Sequence, residues 1–451
     1  MIVSTTDLPI RAGVHGAVSA GRAQLGDRAV VLARCDPTVR LGALTPADGQ
    51  TLADAAMHAL EARLPLVVTI ASSGADVTEG LAASFGWGIA ARAITICSGV
   101  IPVLMAAHGP AVSGPALLLG LADHVVMTSD AYAFVSGPQM VHEITGIVVD
   151  TNELGGAGVH ASMTGLAALV VPDLDAALDA IGELLALLPS HVDELPPRLA
   201  TDDPPDRSTP ELRSLIPASS TASYDVRDVI RAIVDDGYLL ELRAGWAPNL
   251  VTAFATVAGR PIGVVANQPQ SIAGTLDIPA SQKGARFVSF CDAFNVPLLT
   301  LIDTSGFYPG KDLEWRGMIR HGAQLAFAYA RATVPRVAIV LRKAYGGAYI
   351  VMDSRDMGSD LYLAWPSAEV AVMGAKGAVE ILHRKATPKE RAELELDYED
   401  RLLSPWPAAE RGSIDAVIDP ADTRREVVAA VQLLEGKQER LPPRRHDNSP
   451  L

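Results

Sequence analysis

Cysteine is scarce in this 451-residue chain: Cys35, Cys97 and Cys291 stand far apart, with no C-x-x-C spacing. That excludes a disulfide framework and a cysteine-held zinc site, and it points to a reducing compartment. Aromatic residues make up 5 % and charged residues 20 % of the chain, against 49 % apolar residues. So little charge beside so much apolar side chain excludes a disordered protein and suits an ordinary α/β one. Positive charge is short as well. The 37 Lys and Arg against 52 Asp and Glu leave −15 at pH 7, and bulk nucleic-acid binding needs a basic face that can release counterions. No apolar run approaches the ~20 residues of a membrane span, and the start, "MIVSTTDLPIRAGV", lacks a basic-then-apolar leader. The expectation is a cytoplasmic protein with neither nucleic acid nor membrane as partner.

Familiar catalytic patterns are missing too. There is no G-x-S-x-G elbow, H-E-x-x-H pair, Walker loop, or G-x-G-x-x-G following a strand. His108, His160, His321 and His383 are scattered and read as core or surface histidines. Neither a metal site nor a side-chain nucleophile is expected.

What is present is glycine, 38 residues of it, placed where short apolar runs end. "LPLVVTI" (64–70) leads into "ASSGADVTEG", and "VIPVLMAA" (100–107) into "HGPAVSGPA". Later, "VPLLTLID" (296–303) leads into "TSGFYPG", and "TVPRVAIVL" (333–341) into "RKAYGGAY". Runs of Val, Ile and Leu without alternation suit strands covered on both faces. Helix signals lie between them. Thr45, Pro46 and Asp48 read as N-cap, first residue and acidic first turn of one helix, and 313–332 keeps helical spacing. Landmarks recur in one order: Gly74 and Gly306 are 232 apart, Pro102 and Pro335 233, Gly114 and Gly347 233, Gly137 and Gly374 237. We read an internal duplication, with domains 1–200 and 201–451 and the boundary in the Pro-, Ser- and Asp-rich segment 187–223. A glycine loop after a strand serves either as a bare turn or as a place where a ligand oxygen reaches backbone N–H groups. Paired N–H donors of the second kind hold an oxyanion without any charged side chain.

Longer stretches carry a resemblance. "DAFNVPLLTLIDTSGFYPG", "EWRGMIRHGAQLAFAYARATVPRVAIVLRKAYGGAYIVM" and "AWPSAEVAVMGAKGAVEILHRK", with "SGVIPVLMAAHGPAVSGPALLLGLADHVVM" and "ELGGAGVHASMTG" in the first half, resemble the carboxyltransferase (β) subunit of acetyl- and propionyl-CoA carboxylases. The resemblance implies α/β architecture with two tandem crotonase-like ββα-spiral domains. It implies transfer of CO2 from biotin on a carrier protein to the α-carbon of a short-chain acyl-CoA, with biotin providing the base. The implied partners are a biotin carboxylase/biotin carrier (α) subunit, the acyl-CoA, and further copies of the chain in a hexamer, because each site is shared between subunits. Residue by residue, it assigns Ser113 and Gly114 to the acyl enolate and Gly347 and Ala348 to the biotin ureido oxygen. Gly74, Ala75, Gly137 and Ile350 fall on the acyl-CoA side, Ile350 against the acyl chain. Gly306, Phe307, Tyr345 and Gly346 fall on the biotin side.

The departures from the family gather in the first half. The family's "SGGAR" is here "SSGAD" (Ser72 to Asp76), so an anion replaces a cation; its "AGG" is "VSG", with Ser113 at a glycine position; and "DVPG" is "DTSG" at Asp303 to Gly306. Against the family pattern, the expectation is a first domain without the helical extension that precedes it in the family. Two readings follow: an enzyme with drifted loops, or a member with another acceptor, a decarboxylase activity, or a non-catalytic role in assembly.

Overall fold

The computed structural model describes residues 16–217, 219, 222–437 and 439–450. They form two compact units. The first runs to Pro197 and takes in Arg243–Trp246 and Ala293–Asn295; the second holds the remainder.

The first unit is built on a seven-stranded sheet. Its main path runs Val18–Leu25, Arg28–Cys35, Leu66–Ser72, Val103–Val112, His124–Thr128 and Ala167–Val171. Tyr132–Phe134 pairs with the far end of Val103–Val112. The first pair is antiparallel and the rest are parallel. Every residue of Leu66–Ser72 is buried, as its unbroken apolar run requires. Helix Pro46–Ala62 starts at the N-cap read from the sequence, and the structure makes it a capping box: Thr45 and Asp48 each receive the other's backbone N–H. It crosses helix Leu81–Cys97 where Gly49 meets Gly86, and a Cβ on Gly49 would stand 2.1 Å from the Gly86 backbone.

The second unit repeats the plan with eight strands. Leu250–Val257, Arg260–Asn267, Leu298–Thr304 and Arg336–Tyr345 follow one another as their counterparts do, then Leu361–Ala364 and Ala416–Val417, with Glu369–Ala371 on the end of Arg336–Tyr345. The bounds of the first three coincide with those of the first unit at an offset of 232, and the fourth at 233. The duplication read from glycines is therefore a duplication of strands and register. The long helix expected over 313–332 breaks at Gly317 (φ +92°) into Lys311–Trp315 and Met318–Arg331.

Candidate active site

Two loops in each unit concern the chemistry. The first follows Leu66–Ser72 or Leu298–Thr304. The Ser72 hydroxyl accepts the Gly74 N–H at 3.2 Å, and the Gly74 carbonyl accepts the Leu44 N–H at 2.8 Å. In the second unit the Thr304 hydroxyl accepts the Gly306 N–H at 3.4 Å, and the Gly306 carbonyl accepts the Leu276 N–H at 3.1 Å. Each turn brings its glycine to positive φ, +116° and +142°, a region open to glycine at little cost. Ala75 and Phe307 hold the same register position, each bridged to the leucine that pins the loop.

The second loop follows Val103–Val112 or Arg336–Tyr345 and opens a short helix, Gly114–Leu119 or Gly346–Val351. Ser113 (φ +62°) and Gly346 (φ +61°) share the same positive φ. A serine there is strained by roughly 1–3 kcal/mol, offset in part by its lower unfolded-chain entropy. Ser113→Gly is therefore expected to raise the unfolding free energy by about 1 kcal/mol in chemical denaturation; an unchanged or lower value would mean the loop relaxes around the side chain.

The remaining donors differ between the units. The first N–H groups of a helix have no partner inside it. In the second unit Gly347 is exposed and Ala348 buried at that turn, so both N–H groups begin it. In the first, the Ser113 N–H already donates to the Phe134 carbonyl at 2.9 Å, and Pro115 has none. Ser113 thus marks the loop without contributing a spare N–H, and Gly114 and Ala116 carry those of the first turn. Gly114 is held against Trp87: a Cβ there would stand 2.8 Å from the indole.

The structure brings several assigned residues together. A Cβ on Gly74 would lie 3.4 Å from the Val112 carbonyl, just before Ser113. Gly137, the N-cap of Pro138–Thr145, packs on the ring of Phe134, which receives the Ser113 N–H. A Cβ on Gly347 would meet the Phe307 ring at 3.6 Å. Ile350, half-buried, stands one helical turn beyond Gly347. Tyr345 is buried, its ring lies against Gly374 and its hydroxyl bonds Glu369.

Charge around the loops is paired off. Asp76, where the family resemblance has a cation, caps the turn Val77–Glu79; bonds from the Thr78 hydroxyl and N–H hold its carboxyl below the usual range. Arg40 reaches it at 3.4 Å and buried Asp48 at 3.1 Å. In the second unit, burial raises the Asp303 carboxyl above its usual range against the pull of Arg342. No group of three or more His, Cys, Asp and Glu among the described residues could hold a metal ion. Sequence reasoning passed over Asp303, Arg342 and Phe134. "RKAYGG" shows the arginine, yet nothing in the string says which carboxylate it meets.

The loops thus offer backbone donors and few side-chain acids or bases. Residues 5–449 match the carboxyl transferase domain. The chain is 42 % identical over 439 residues to the methylmalonyl-CoA carboxyltransferase 12S subunit of Propionibacterium freudenreichii subsp. shermanii, covering 96 % of this chain and 84 % of that one. It is 41 % identical over 453 residues to the propionyl-CoA carboxylase beta chain of Saccharopolyspora erythraea, covering 96 % and 83 %. Among solved structures, transcarboxylase 12S, a hexamer with hydrolysed methylmalonyl-coenzyme A bound, superimposes with a TM-score of 0.94 at 41 % identity, over 96 % of this chain and 85 % of that chain. No described helix is long and apolar enough to cross a membrane.

Proposed function

The chain belongs to the carboxyl transferase family, and on that premise we propose that it is the carboxyltransferase component of a biotin-dependent acyl-CoA carboxylase, acting on a short-chain acyl-CoA of the acetyl or propionyl kind. Biotin, brought on a carrier subunit, supplies the CO2 and the base. The protein's part is to hold two developing oxyanions. Gly114 and Ala116, beginning one short helix, face the thioester oxygen of the acyl enolate; Gly347 and Ala348, beginning the other, face the ureido oxygen. Gly74, Ala75 and Gly137 border the first loop, and Ile350 meets the acyl chain. The residues at the second loop fit a neutral bicyclic ligand: Gly347 is exposed, the Phe307 ring lies alongside, and residues 346–348 carry no charge. Preorganised N–H groups out of water are the largest single source of such stabilisation, each typically ~3–4 kcal/mol of barrier.

The observation that carries this reading is the pairing itself: one N–H-bearing glycine turn at the same strand end in each duplicated unit, in a family of carboxyltransferases. The diverged first-unit loops do not oppose it, because backbone donors survive side-chain change and Asp76 is occupied as a cap. The test is CO2 transfer from carboxylated biotin carrier to acetyl-, propionyl- and butyryl-CoA. Turnover on a short thioester supports the proposal; carrier binding without turnover on any thioester supports the assembly role instead.

We place both loops in sites shared between copies of the chain, as the hexameric relative suggests. Sizing by light scattering at micromolar concentration is then expected to give a hexamer, and a fully active monomer would end the shared-site reading.

A further inference from the structure

In each unit the strand leading to the oxyanion loop carries two residues more than its neighbour at the same level. Ile302 and Thr304, with one residue between them, face Val340 and Ala344, with three between them. Ile70 and Ser72 likewise face Ala107 and Ala111. A bulge of this kind bends the strand and re-aims whatever follows it, which here is the glycine turn. It also takes N–H groups out of the ladder, and a buried N–H without an acceptor is costly.

The two units answer that need with different chemistry. In the first, the bulge ends at Pro110, which has no N–H, and Gly109 packs directly on Ala71, 3.2 Å from an added Cβ. At the matching positions of the second unit stand Lys343, Arg342 and Asp303. The Asp303 carboxylate accepts the Lys343 N–H at 3.1 Å through Oδ1. Through Oδ2 it accepts the Arg342 Nε–H at 3.1 Å and the Tyr224 hydroxyl at 2.8 Å. Arg342 continues to the Ala222 carbonyl at 2.8 Å and the Ser219 carbonyl at 3.3 Å, and its guanidinium lies over the Tyr224 ring. All three side chains are more than nine-tenths buried. Asp303 also stands two residues before Ser305, at the root of the neighbouring loop that carries Gly306 and Phe307.

We infer that Asp303 is a positioning residue for the biotin-side oxyanion loop: by holding the bulge 341–343 in place it sets the aim of the Gly347 and Ala348 N–H groups, without itself touching a reactant. The inference rests on the carboxyltransferase reading above. A misplacement of about 1 Å at a reacting centre costs as much as ~100-fold in rate, so the bulge has leverage on turnover even though it lies outside the site.

The test uses the assembled enzyme with its biotin carrier and two variants. Asp303→Asn keeps an acceptor for Lys343 but sets an amide against Arg342. Asp303→Leu with Arg342→Met replaces the buried pair by apolar side chains of similar size, a change that folded proteins commonly tolerate, and removes the carboxylate that accepts the Lys343 N–H. Expected are a kcat about tenfold lower in the first and at least thirtyfold lower in the second, with KM for acyl-CoA within twofold of the parent in both. Amide hydrogen exchange at 345–348 should quicken in the double variant while exchange in the first unit is unchanged, a readout that needs no turnover. A folded double variant with parental kcat and parental exchange overturns the inference, as does an equal loss of acyl-CoA binding, which would mean a general loosening. If the parent transfers CO2 to no thioester, the functional reading fails, and the exchange result still decides whether Asp303 holds the loop.

Discussion

Gly347→Val is expected to lower kcat at least a thousandfold while leaving the fold in place. Gly347 has no left-handed φ, and a Cβ there meets only the Phe307 ring, at ordinary contact distance. A Cβ can therefore be placed without moving the backbone, and the methyl groups of a valine are expected to obstruct approach to the N–H groups of Gly347 and Ala348. Losing one such donor typically costs 10²–10³ in rate, and the substitution obstructs two. The neighbouring glycine shows why position matters: Gly346 sits at φ +61°, with the Val372 carbonyl 3.1 Å from an added Cβ. A valine there would strain the chain itself, and loss of activity would say nothing about the hole. For Gly347→Val the measurements are steady-state transfer from carboxylated carrier, circular dichroism and thermal unfolding. Parental kcat in a folded variant would remove the second-unit loop from the reaction.

The parts of this molecule that could be read from its sequence are those fixed by local chemistry. Thr45, Pro46 and Asp48 start a helix because the cap is built from residues three apart. Glycines at strand ends disclosed the duplication for two reasons: Gly74 and Gly306 both turn at positive φ, whereas Gly114, Gly137, Gly347 and Gly374 each lie against an aromatic ring. Even the drift in offset has a structural counterpart: the step from 233 to 237 follows the extra turn Arg355–Met357 in the second unit. Ser113 shows the reach of this reasoning, since the serine standing at a glycine position does sit at a positive φ.

Whatever depends on a distant partner stayed hidden. That the Ser113 N–H is taken by Phe134, 21 residues on, follows from the pairing of Tyr132–Phe134 with Val103–Val112. No local pattern encodes that pairing. At Asp76 an anion replaces the family's cation; the local Thr78 bonds hold it, and the ion pair added by Arg40, across the bridge of Leu44 to Ala75, could not be read from the string. Trp365, near the glycine loops in sequence, is fully buried with its N–H on the Thr423 hydroxyl, whereas Tyr308 and Trp315 are exposed. The membership that decided function came from long stretches of residues acting together, and the site itself, made of peptide nitrogens, has almost no side-chain signature.

Asp353→Ala is the second large effect expected, and it acts from beneath the same loop. Asp353 follows the short helix Gly346–Val351 and is fully buried against Arg336, Oδ1 to Nη1 2.7 Å. The guanidinium also bonds the carbonyls of Tyr329 and Gly358. The first unit has Val103 and Gly120 at the matching positions, so this pair belongs to the second unit alone. At pH 8, where the carboxyl is ionised, removing it leaves a buried cation unpaired, at a cost of about 3–5 kcal/mol, which lowers the melting temperature by roughly 4 °C in a chain of this size. Burial pushes the Asp353 carboxyl up to about 7, against the pull of Arg336 and with the push of Asp360. The folded chain then keeps this proton up to about pH 7, whereas the unfolded chain releases it near its ordinary 3.8. Between those values the folded state binds more protons, so this group's contribution to stability falls as pH rises through the window and is level above it. Denaturant unfolding at pH 5 and pH 8 should accordingly show a larger loss toward pH 8 in the parent than in Asp353→Asn. Identical pH dependence in the two proteins would mean that Asp353 is ionised throughout, and a melting temperature unchanged in Asp353→Ala would mean that Arg336 finds its counter-charge elsewhere.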